Sequence, residues 1–162
     1  MTIELMPFTP ALHGDGVVDL ILPIQQQEFG IPVTIEAQPD LLDIPGYYQR
    51  GTGNFWVAVS GGRVVGSIAL ADIGHFQAAL RKMFVHADYR GAAHGVAQGL
   101  LDTLLAWARE SGVREVFLGT TEAFAAAHRF YEKNGFKRLP REALPPAFPL
   151  MAVDTRFYGR AP

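Results

Sequence analysis

Apolar residues recur at two periods along the chain, and the switch between them lays out most of its elements. Val96, Ala97, Leu100, Leu101, Leu104, Leu105 and Ala108 repeat at steps of three and four, which predicts a helix with one buried face and Gly112 as its stop. Before it come strand-like runs at 54–59, 64–73 and 78–85. Ser60-Gly61-Gly62-Arg63 and Gly74-His75-Phe76-Gln77 supply the turns of an antiparallel meander. After it, 114–119 reads as a short strand and 120–136 as a second helix closed by Asn134-Gly135. A brief strand at 136–139 then leads into Pro140, Pro145, Pro146 and Pro149, an irregular excursion, and 151–158 returns as the last strand.

The N-terminal third is patterned less clearly. Residues 3–6 predict a short strand, and Pro7, Thr9-Pro10 and His13-Gly14-Asp15-Gly16 mark a turn into a helix beginning near Val17. Pro23 either kinks that helix or opens a second segment over 24–29, and Gly30-Ile31-Pro32 ends it. Pro39-Asp40 and Asp43-Ile44-Pro45-Gly46 predict one or two short helices within 34–50. A meander, then strand-helix-strand-helix, then closing strands gives an α+β (mixed α/β) domain rather than a doubly wound parallel sheet.

Composition bounds this picture. With 162 residues, 49% hydrophobic and 19% charged, the chain suits one domain over 1–162 with a well-buried core. A formal charge of -2 offers no basic field for nucleic acid. Cysteine is absent, which removes disulfides and thiolate chemistry and is compatible with a reducing cytoplasm. The start, MTIELMPFTP, lacks the pattern of a signal peptide, and the apolar run 17–24 is broken by Asp19 and Pro23, so no membrane span is expected. Five histidines without cysteine and without an H-E-x-x-H pair make no metal site expected.

The chemistry concentrates where the third meander strand enters the helix at Val96. Arg90, Gly91, Ala92, Ala93, His94 and Gly95 form a loop of mostly small residues, and the helix start behind it is an anion site in waiting. Glycine there also serves a plain turn. The sequence carries neither a G-x-x-x-x-G-K-S/T loop nor a G-x-G-x-x-G turn opening a βαβ unit. Adding the second helix, Arg90-Gly91 with Gly95-Val96-Ala97, followed by helix, strand and Ala127-His128-Arg129-Phe130-Tyr131-Glu132-Lys133-Asn134-Gly135-Phe136, resembles the paired acetyl-CoA motifs of the GCN5-related N-acetyltransferase (GNAT) family. The resemblance runs from 57 to 139. Against the family's Q/R-x-x-G-x-G/A pattern Gly95 and Ala97 fit, but Ala92 falls on the Q/R position and the loop is about two residues longer. Either Arg90 acts from further back or the amides suffice.

The resemblance implies a splayed, acyl-CoA N-acyltransferase-like sheet that binds acetyl-CoA as co-substrate. Met83, Phe84 and Val85 would offer backbone to the pantetheine arm. Arg90, Gly91, Ala92, Ala93, His94, Gly95, Val96 and Ala97 would receive the pyrophosphate, and Tyr131 would protonate the departing thiolate. Taken without the family, Tyr131 reads as a packed aromatic with one satisfied hydroxyl, and His128 as a structural histidine. His75, Asp72 and His86 are the nearest titratable groups for taking a proton from an amine, and none has a spacing that singles it out. The family's usual glutamate on the fourth strand has no counterpart in 78–85. Phe29, Tyr47, Tyr48, Phe55 and Trp56 suit core better than a substrate wall. The expected function is direct acetyl transfer to a small-molecule or peptide amine whose determinants lie within 25–50, with homodimerisation left open. The alternatives are a non-catalytic acyl-CoA-binding or sensing domain and a nucleotide-phosphate-binding domain.

Overall fold

The computed structural model describes residues 2–162. Seven strands form one sheet in the order β1-β2-β3-β4-β5-β7-β6. They are β1 (Ile3–Pro7), β2 (Asn54–Ser60), β3 (Arg63–Gly74), β4 (Gln77–Val85), β5 (Glu115–Thr120), β6 (Lys137–Leu139) and β7 (Arg156–Arg160). Only β4 and β5 run parallel, and every other neighbouring pair is antiparallel. The α+β class and the meander read from the sequence are the observed ones.

Helices cover both faces. On one, α4 (Val96–Glu110) and α5 (Ala125–Lys133) bury Leu100, Leu101, Leu104 and Tyr131 against Trp56, Ile68, Leu80 and Val116. On the other, α1 (Pro10–Pro23) and the short α2 (Pro39–Leu42) and α3 (Ile44–Tyr47) bury Val17, Leu20, Ile21, Leu41, Ile44 and Tyr48 against Phe55, Val57 and Ala69. Tyr48, Phe55 and Trp56 are therefore core, whereas Tyr47 is exposed.

Three boundaries differ from the sequence reading, each for a local reason. First, α1 begins at Pro10 rather than near Val17, because Thr9 is extended and Pro10 at the first helical turn loses no hydrogen bond. Burial of Val17, Leu20 and Ile21 overrides the roughly 1 kcal/mol that each helical glycine costs. At Gly16 a side chain is excluded outright, since a Cβ would lie 2.8 Å from Val64 Cγ2. Second, α5 begins at Ala125 rather than 120. The Thr121 hydroxyl accepts from Ala123 N–H and its carbonyl from Phe124 N–H, so a turn occupies 121–124. Third, β7 starts at Arg156 because Asp154 N–H turns back to the Met151 carbonyl.

Pro23 opens a second segment. Its missing N–H shifts the hydrogen-bond register, and Ile24–Glu28 continues as a π-helical turn whose Phe29 N–H reaches the Ile24 carbonyl. The β3–β4 hairpin turns on His75 and Phe76, with φ of 53° and 61°. Two left-handed residues match the twist of the strands, an arrangement usually given to Asn-Gly. Here Arg114 compensates: its N–H donates to the Phe76 carbonyl at 2.7 Å and its guanidinium sits 4.8 Å from the Phe76 ring.

Candidate active site

The sheet comes apart in its middle. Parallel pairing joins Gln77, Ala78 and Ala79 to Glu115, Val116 and Phe117 and then stops, although β4 runs on to Val85 and β5 to Thr120. Beyond Ala79 the β5-facing edge of β4 has no strand partner among the described residues. A bulge lies beside the separation. Ser67 to Ala69 on β3 spans Arg81 to Phe84 on β4, one residue more, and Lys82 takes φ 51° to absorb it. The Ser67 hydroxyl donates to the Lys82 carbonyl at 2.7 Å, which fixes the bulge. Met83, Phe84 and Val85 thus border the split. The Val85 carbonyl already accepts from Arg90 Nε at 2.8 Å, so that group is engaged.

At the open end the chain turns through 90–95 into α4. Gly91 and Gly95 have φ of 99° and 66°, and a Cβ at either would meet no heavy atom within 4 Å. Gly95 is the N-cap and among the described residues no side chain caps the helix, which leaves the first-turn amides of Val96 and Ala97 without an intrahelical partner. Ala92, Ala93 and His94 are exposed, and the His94 ring leans against Tyr89 with centroids 5.8 Å apart. Open space, unpaired amides and left-handed glycines fit a phosphate-bearing ligand. The Arg90 guanidinium is engaged elsewhere. It forms a two-pronged pair with Glu28 and holds the Glu28 carboxyl below its ordinary range through that hydrogen bond. It ties the loop to the π-helical turn.

Tyr131 reaches the split from α5. It is buried among Phe130, Phe136 and Tyr158, and its hydroxyl donates to Met83 Sδ at 3.4 Å. Burial pushes the phenol well above its usual range, so it keeps its proton at neutral pH. His128, three residues earlier, is structural. Its Nε2 faces the Thr121 carbonyl at 2.7 Å and its Nδ1 faces Arg156 Nη1 at 2.6 Å.

The base candidates named from the sequence do not enter the split. Asp72 accepts from Gly74 N–H at 2.8 Å and Thr52 N–H at 3.1 Å, and the Gly74 bond lowers its carboxyl. His75 sits at the hairpin tip, and His86 caps the turn at Ala87–Tyr89 by accepting from Asp88 N–H. Other groups line the opposite face of the bulge, and sequence reasoning missed them. Lys82 and Asp40, whose side chains are 7% and 9% exposed, pair at 3.5 Å. Lys82 also donates to Gln38 Oε1 at 2.6 Å, Gln38 and Gln25 exchange amide hydrogen bonds, and the Tyr48 hydroxyl donates to Asp40. Burial lowers Lys82 below the usual amine range. Asp154, before β7, is raised by burial and opposed by its bond to Met151 N–H and by the charges of Arg81 and Lys82. The one available signal was Arg81-Lys82, a charged pair inside an apolar strand.

A profile of the Acetyltransferase (GNAT) family matches residues 18–136. The chain belongs to the GNAT acetyltransferase family. A crystal structure of a GNAT acetyltransferase from Staphylococcus aureus Mu50 is 34% identical, covers 99% of both chains and superposes with a TM-score of 0.93. The PaiA N-acetyltransferase of Thermoplasma acidophilum, solved in complex with coenzyme A, shares the GNAT fold over 99% of each chain with a TM-score of 0.76 at 16% identity. The N-acetylaspartate synthetase of Danio rerio is 39% identical over 102 residues, 62% of this chain and 36% of that protein. The chain thus spans about a third of that relative's length. No helix of the described residues is long and apolar enough to cross a membrane.

Proposed function

We propose that the protein transfers the acetyl group of acetyl-CoA directly to a primary amine. The observation that carries this is the split between β4 and β5, with the Tyr131 hydroxyl at Met83 on one face and the Lys82 cluster on the other. The bound thioester would supply the activated acetyl group. The uncapped start of α4 would hold its phosphates, and the unpaired edge of β4 beside Met83 and Phe84 would pair with the pantetheine arm. Backbone N–H groups at the bulge would stabilise negative charge developing on the carbonyl oxygen. Tyr131, kept protonated by burial, would hold a proton where the sulfur departs. Cysteine is absent, so no thiol relay intervenes, and positioning of amine and thioester supplies much of the acceleration. Support also comes from the relatives, an S. aureus GNAT acetyltransferase and an N-acetylaspartate synthetase.

The test is thiol release from acetyl-CoA across an amine panel, with wild type and Tyr131→Phe. The phenylalanine keeps the ring and its packing, so coenzyme A affinity stays the same while kcat falls about 10²-fold, the low end for a general acid. Coenzyme A binding without release for any amine would mark a binding or sensing domain instead. Equal kcat values, with chemistry rate-limiting, would leave Tyr131 as packing only.

A further inference from the structure

We propose that the acceptor is a primary amine that also carries a carboxylate, an amino-acid-like molecule, with Arg81 binding the carboxylate and Asp154 taking the first proton from the ammonium group. The proposal rests on the acetyl-transfer reading above.

The bulge makes the arrangement. Arg81 stands opposite Ala69, a residue of the α1–α3 face, and Lys82, displaced by its left-handed backbone, turns to Gln38 and Asp40 on that same face. Two successive cations therefore share one side of a strand whose side chains otherwise alternate. Their situations differ. Lys82 is answered by Asp40 and Gln38. Arg81 has no carboxylate within 4 Å among the described residues, and its side-chain contact is Met151 Sδ at 3.5 Å, a weak acceptor for a strong donor. A guanidinium held at the surface with its fork unused is suited to a carboxylate bound by two parallel bonds.

Asp154 completes the pair of contacts. Its carboxyl lies against Gly119 of β5, where a Cβ would come within 2.6 Å of Oδ2, and feels the charges of Arg81 and Lys82 across the split. It also lines an open groove with Arg138, Arg141 and Phe157, which gives a proton a way out. Around the split Arg81 and Lys82 balance Asp40 and Asp154. An acceptor bearing both an ammonium and a carboxylate adds no net charge to that set, whereas a simple ammonium adds one.

Protons and bonds balance across the step. Asp154 accepts one proton from the ammonium nitrogen, whose freed lone pair forms the bond to the acetyl carbon as the carbon–sulfur bond breaks. Tyr131 gives its proton to sulfur, and the nitrogen's second proton restores the phenol through solvent. Asp154 releases its proton down the groove.

The experiment compares the common L-amino acids with their α-amides at saturating acetyl-CoA, in wild type, Arg81→Gln and Asp154→Asn. For the best acceptor, kcat/KM of the acid should exceed that of its amide about 10- to 100-fold, the span of one charged hydrogen-bonded contact. Arg81→Gln should erase that preference by raising KM for the acid, with the amide and coenzyme A affinity unchanged. Asp154→Asn should lower kcat and remove the acidic limb of its pH profile. Amides that match acids in wild type, or an Arg81→Gln loss equal for both, would overturn the proposal. Calorimetric titration of the amino acids into protein saturated with coenzyme A separates the two readings if nothing turns over. Binding that depends on Arg81 upholds the site and refutes acetyl transfer, and no binding refutes the site.

Discussion

The two sides of the split are built by opposite means. Toward α4, what is offered is backbone: an uncapped helix start, two left-handed glycines with open space beside them and an unpaired strand edge, all within residues 80–97. Toward α2 and α3, what is offered is side chains, and Gln38, Asp40, Tyr48, Lys82 and Asp154 come from separate parts of the chain. A backbone site keeps its chemistry whatever side chains surround it, which suits a ligand common to many enzymes. A site of buried charges changes with each substitution, which suits the partner that distinguishes one enzyme from the next.

That contrast predicts opposite failures. The largest should come from Lys82→Met, which strands Asp40 in a buried site. Breaking a buried ion pair costs about 3–5 kcal/mol, and the remaining Tyr48 bond keeps the loss near the lower end. Denaturant unfolding should show it, and Lys82→Met combined with Asp40→Asn should recover part of the loss. Gly95→Val should do the reverse. The left-handed backbone costs a side chain about 1–2 kcal/mol, and the new branches enter space that only a ligand would fill. Coenzyme A affinity should then fall more than about 10-fold while the melting temperature drops by only a few degrees. If Gly95→Val bound coenzyme A like wild type, the backbone side would not be a phosphate site. The smallest effect belongs to Asp72→Asn, which touches neither side. Its carboxylate is held below the ordinary range, so the stability it adds is present above about pH 4 and vanishes as pH falls through its depressed value. The variant should be about 1 kcal/mol less stable than wild type at pH 7, equal to it in strong acid and unchanged in turnover.

The same contrast explains what could be read in advance. The meander, the α4 periodicity and the loop were legible because each is a contiguous pattern with its own turn residues. The role proposed for Tyr131 rests on the family motif around it, since a buried tyrosine alone is equally a packing residue. The Lys82 cluster was not legible. Its members are scattered from Gln25 to Asp154, and the bulge that turns Lys82 toward Asp40 rests on a left-handed φ at a lysine, which no composition rule anticipates. The start of α1 was hidden for another reason: Gly14 and Gly16 look like turn residues until the packing against Val64 is known.

The hairpin at His75 and Phe76 gains a different meaning once the split is in view. Arg114 clamps Phe76 at the end of β4 where the parallel pairing begins, so the pair of strands behaves as a wedge with its vertex there. From Ala79 to Val85 is a lever of about 20 Å at ~3.3 Å per residue. A rotation of about 5° at the vertex therefore moves the open end by about 2 Å, more than half a hydrogen-bond length. A rotation at that surface turn would thus change the width of the split, at the opposite end of β4 from the 90–95 loop.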